Sequence, residues 1–85
     1  MGKKHKMILA GIHYNAVEAH IIDCENNSYI DGFFILGDEQ RIINKIKIIM
    51  QVYPVTHVIP DQKTTPKSVY KLLQEEGIIS HDGRV

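Results

Sequence analysis

Two short polar clusters hold the side chains best suited to chemistry. His13, Tyr14 and Asn15 close one apolar run, and Asp61, Gln62, Lys63, Thr64 and Thr65 close another. The Thr65-Pro66 step reads as a helix start, with Thr65 at the N-cap and Pro66 at the first helical position. The opening N–H groups of such a helix, near Thr65, Lys67 and Ser68, lack intrahelical partners and attract negative charge. Lys63 adds a cation, so the expected ligand is a small anion. The expected ligand-binding residues are His13, Asn15, Asp61, Lys63, Thr64 and Thr65.

The other reactive side chains form weaker patterns. His5, His13, His20, His57 and His81 include no paired-histidine spacing of the kind that metals require, and no metal site is assigned. Cys24 is the single cysteine, so an internal disulfide is excluded; with no cationic neighbour it reads as a structural thiol rather than a nucleophile. Glu18 and Asp23 point to opposite sides of one strand and do not make an acid–base couple, so no catalytic residue is assigned. Tyr14, Tyr29, Phe33, Phe34 and Tyr53 offer rings on which bases could stack, but no Lys or Arg interleaves them, and packing a small sheet is their ordinary use.

The elements that must position these groups follow from hydrophobic period. Met7–Tyr14 and Val17–Cys24 alternate as strands, with a tight connection at Asn15-Ala16. In the second strand Val17, Ala19 and Ile21 share one face, and Glu18, His20 and Ile22 the other. A third strand falls within Tyr29–Leu36, bulged at Gly32 or starting after it. Asp38 is a good N-cap for a helix whose Ile42, Ile43, Ile46, Ile49 and Met50 recur on one side; Ile48 falls on the polar side. A strand at Ile46 to Val52 is the alternative there. Val55–Ile59 reads as a buried parallel strand, Val69, Leu72 and Leu73 as the stripe of a second helix capped by Gly77, and Ile78-Ile79 as a short last strand. Residues 1–6 are expected to be a solvated basic end and 81–85 a tail, on a single domain spanning 1–85.

The order β-β-β-α-β-α-β, an α/β plan bordering on α+β with a mixed sheet, resembles the ribonuclease H-like arrangement, in which the fourth strand lies beside the first. The stretch from Val55-Thr56-His57-Val58-Ile59 through Pro66 to Gly77-Ile78-Ile79 is similar to the second half of the small NifX-type domains that bind iron–molybdenum cofactor precursors. Catalytic ribonuclease H-like domains carry a carboxylate in the first strand, where this chain reads Leu9-Ala10-Gly11-Ile12-His13. Without that group, two hard cations lack their central ligand.

Ten Lys and Arg balance ten Asp and Glu, giving zero formal net charge. Neutrality gives no steering toward nucleic acid and no mutual repulsion between copies. The longest early apolar run, Met7 to Ala10, is far short of a membrane span. The expected protein is a small cytoplasmic, non-enzymatic binding module that self-associates and holds a small anionic ligand or a protein partner at the His13/Asp61–Thr65 end. No cofactor is assigned and no membrane partner is expected. Two other readings follow from the same residues. One is a minimal metal-dependent nuclease using Asp61, Asp23 and Glu18; the other is a nucleic-acid or regulatory adaptor using Lys3, Lys4, Lys6 and the Arg41/Lys45/Lys47 helix face.

Overall fold

The computed structural model describes residues 4–79. Its elements are β1 (His5–His13), β2 (Ala16–Asp23), β3 (Tyr29–Leu36), α1 (Glu39–Val52), β4 (Val55–Pro60) and α2 (Lys67–Glu75). The four strands form one mixed sheet in the order β3-β2-β1-β4. β1 pairs antiparallel with β2 and parallel with β4, and β2 pairs antiparallel with β3.

Alternation decides which side of the sheet is buried. Met7 and Leu9 of β1, Val17, Ala19 and Ile21 of β2, Ile35 of β3 and Val58 of β4 join Ile42, Ile43, Ile46 and Ile49 of α1 and Val69 and Leu73 of α2 in a single core. Both helices therefore cover the same face. α1 is helical through Val52, so the strand alternative at Ile46 to Val52 is excluded, and Ile48 stays 53% exposed. Among the described residues no helix is long and apolar enough to cross a membrane.

Asp38 starts α1 as its type suggests: the backbone is extended there, and the carboxylate accepts the Arg41 N–H at 2.9 Å. Asp38→Ala leaves that N–H without its partner and is expected to cost about 1 kcal/mol, a drop of roughly 4–8 °C in melting temperature for a domain of this size. An unchanged thermal midpoint would show that the cap contributes nothing.

At the other end of α1, Tyr53 leaves the helix in an extended conformation and its hydroxyl donates to Asp31 Oδ2 at 2.5 Å. That bond, followed by the Gly32 N–H, holds the Asp31 carboxyl below the usual carboxylate range, and the same bond holds the Tyr53 phenol above its usual value. A depressed carboxylate stabilises the fold above its unfolded pKa, and that contribution is lost as pH falls through the lower folded value. Thermal scans between pH 7 and pH 2 should show stability declining below about pH 4. Asp31→Asn should be weaker at neutral pH and lose less over that window; an acid limb parallel to the parent chain would refute the assignment.

Four expectations are corrected. His5 and Lys6 are not a loose end: His5 pairs with Asp23 and Val55, is buried, and meets the Tyr53 ring edge-on at 6.4 Å. The first hairpin turns at Tyr14-Asn15, with Ala16 already in β2, because an irregularity between Gly11 and His13 shifts the register. Thr65-Pro66 does not start α2 as expected. Pro66 takes an extended conformation at the N-cap, with no side-chain cap, and the helix begins at Lys67. Finally, Ile78-Ile79 is not a strand. Gly77, at φ +72, closes α2 so that the Ile78 N–H returns to Leu73 O at 2.9 Å and the Gly77 N–H to Gln74 O at 3.0 Å. This left-handed cap spends the donors that a ladder would need, and Ile79 turns into the core.

Candidate functional site

The two polar clusters of the sequence fall at neighbouring strand ends but are built separately. At the end of β4 the Asp61 N–H bonds Leu9 O of β1 at 2.8 Å. The Asp61 carboxylate then organises its own loop, accepting the Lys63 N–H at 3.1 Å and the Thr64 hydroxyl at 2.9 Å, while the Thr65 N–H returns to Asp61 O at 2.9 Å. Thr64 Oγ1 in turn accepts the Gly11 N–H at 3.0 Å. The loop is thus latched onto β1, and Asp61 and Thr64 are spent on the latch. Thr65 is buried and its hydroxyl has no partner.

His13 and Asn15 belong to the hairpin. His13 Nδ1 lies 3.2 Å from Asn15 Oδ1, and the His13 ring tilts against Tyr14. Among the described residues no hydrogen bond or ion pair joins His13 or Asn15 to the Asp61–Thr65 loop.

The carboxylates of the nuclease reading do not converge. Asp23 sits opposite His5, whereas Asp61 bonds at Leu9; four strand residues of about 3.3 Å each put those points roughly 13 Å apart along β1. Two-metal sites hold their cations about 4 Å apart. Glu18 lies on the opposite sheet face from Asp23. Among the described residues no group of three or more His, Cys, Asp or Glu is placed to hold a metal ion.

A different surface stands out once register is known. The strand residues that point away from the helices form rows across the sheet: His57, Lys6, Ile22 and Tyr29; Ile59, Ile8, His20 and Gly32; then Ala10, Glu18 and Phe34. Leu36 follows opposite Ala16. Phe34 is 61% exposed and Leu36 59%. In the middle, His20 Nε2 lies 3.3 Å from Glu18 Oε2, and His20 Nδ1 lies 3.3 Å from the Tyr29 hydroxyl. With the carboxylate accepting from Nε2–H, Nδ1 accepts from the phenol. Gly32 makes room for this arrangement, since a Cβ there would fall 1.9 Å from the Tyr29 hydroxyl oxygen.

The alternation of Glu18, His20 and Ile22 is legible in the sequence, but the Glu18–His20–Tyr29 chain is not. Tyr29 reaches His20 only because the ladder shifts register between Ile21 and Ile22, pairing Ile22 with Tyr29 and leaving Ile30 as the extra residue. That bulge lies two residues before Gly32, where the sequence suggested it.

Among the described residues, two helices lie on one side of a mixed four-stranded sheet and none on the other, which defines a two-layer α+β domain. Compared with known proteins, the chain matches no family model, no curated protein and no solved structure.

Proposed function

We propose that this protein is a non-enzymatic interaction module that pairs with a second copy of itself through the open face of its sheet. The observation that carries this reading is the uncovered face, where Ile8, Ile22, Phe34, Leu36 and Ile59 present apolar surface that neither helix covers. Apolar patches of this kind on small domains mark interfaces.

A second copy fits the face better than an unrelated partner because the charges on it are self-complementary. Lys6 of β1 and Glu18 of β2 lie two rows and one strand apart. A twofold axis in the interface, midway between them, sets each Lys6 against the other copy's Glu18, as isologous pairing requires. Neutral net charge leaves no long-range repulsion to overcome. Four strands about 4.8 Å apart and some seven residues long give a face near 440 Å² per copy, so pairing buries roughly 900 Å², below the range of stable interfaces and in that of weak, transient ones. The expected dimer is therefore weak and concentration-dependent.

The test is sedimentation velocity from low to high micromolar protein: a reversible monomer–dimer shift supports the reading, and a monomer throughout refutes it. The parallel placement of β4 beside β1 supports a likeness to the ribonuclease H-like plan without its carboxylates. The cytoplasmic setting belongs to the same proposal.

A further inference from the structure

The flank of α2 carries a second feature, independent of the sheet face. A cavity of about 390 Å³ lies between α2 and the loop before it, lined by Gln62, Thr65, Lys67, Tyr70, Lys71 and Gln74. Lys67, Tyr70, Lys71 and Gln74 recur at helical spacing and so share one side of the helix. No carboxylate lines the cavity. Among the described residues neither lysine has an ion-pair partner, in contrast to Lys47, which pairs with Glu76. Thr65 also lines it, and its hydroxyl is buried behind that surface without a hydrogen-bond partner, which is rare for a buried polar group. Two unneutralised ammonium groups, amide groups and a phenol around one space make a lining that suits an anion and disfavours a cation.

We propose that this cavity binds a phosphate monoester, with Lys67 and Lys71 on the phosphate and Tyr70 against the organic group. Lysine serves phosphate as a compact point charge, and two of them one turn apart match a dianion. A volume in the range of small-molecule sites leaves room beyond the phosphate for an organic moiety, and Tyr70, half-buried in the wall, supplies a flat apolar surface for it.

The test is a titration of the full chain with phenyl phosphate at fixed ionic strength, followed by amide resonances. Saturating shifts centred on Thr65, Lys67, Tyr70 and Lys71 are expected. The Lys67→Ala/Lys71→Ala double variant should weaken binding at least about tenfold, and Tyr70→Ala by roughly threefold. Lys45→Ala, on α1, should leave the affinity unchanged. Non-saturating shifts, full affinity in the double variant, an equal loss in Lys45→Ala, or inorganic phosphate binding as tightly as phenyl phosphate would each overturn the proposal. Thermal melts of the variants without ligand separate lost binding from lost folding, and none of these readings depends on whether the protein is a monomer or a dimer.

Discussion

Gly11→Ala is expected to destabilise the fold by about 3 kcal/mol, although it adds one methyl group. A Cβ at Gly11 would lie 1.9 Å from the carbonyl oxygen of Thr64 and 2.6 Å from its carbon. Both are backbone atoms of a loop held at each end, by the Asp61 N–H on Leu9 O and by α2. The overlap cannot be relieved by a rotamer change; the loop must lift, and the Gly11 N–H to Thr64 hydroxyl bond is lost with it. Gly32→Ala makes the instructive contrast. Its Cβ meets the Tyr29 hydroxyl oxygen at the same 1.9 Å, but that atom is the far end of a side chain that is 60% exposed. Tyr29 can swing into solvent, and removing a glycine from a strand recovers part of the cost, so the net change should stay within about 1 kcal/mol. Urea denaturation of the two variants decides the matter. Equal losses, or a loss under about 1 kcal/mol for Gly11→Ala, would mean that the loop is not held against β1.

Phe34→Lys should abolish self-association while leaving the monomer's stability nearly intact. Phe34 projects from the edge strand on the open face, beside Glu18 and away from the core. Losing the aromatic anchor and desolvating a lysine ammonium in its place, even beside Glu18, should weaken pairing at least about a hundredfold. The charge assignment can be tested in the same apparatus. Lys6→Glu and Glu18→Lys should each weaken the dimer, because each sets like charges together, and the doubly exchanged chain should recover it. A dimer indifferent to Phe34→Lys would place the contact elsewhere. Failure of the double exchange to restore pairing would overturn the twofold arrangement.

Much of the fold was legible because its signals are local. The Asp38 cap, the Ile42–Ile43–Ile46–Ile49 stripe and the two-sided pattern of Val17 to Ile22 each specify an element from neighbouring residues. What escaped depended on distant groups. His5 looks like part of a basic end until β4 returns beside it and Tyr53 closes over it. Thr65 has the type of an N-cap, but the loop that Asp61 ties down carries it inward and leaves the helix to begin two residues later. Ile78-Ile79 has strand composition, and the glycine cap before it overrides that preference. The polar composition of the strand-end cluster is plain in the sequence, yet that its carboxylate and hydroxyl satisfy one another is not. The open face was invisible for a different reason: alternation shows that a strand has two sides, but not which side the helices leave bare.

The position of β1 has a consequence for synthesis. It is an interior strand of the finished sheet, and its two neighbours arrive at very different times. β2 follows after a two-residue turn, whereas the residues that pair with its other edge begin at Val55. Until that later segment has left the ribosome, the edge of β1 that will take β4 is a row of unpaired backbone donors and acceptors. Such an edge is open to any passing strand. The tenure of that open edge, set by how soon α1 folds back over the sheet and delivers β4, governs how much of the newly made protein escapes wrong pairing.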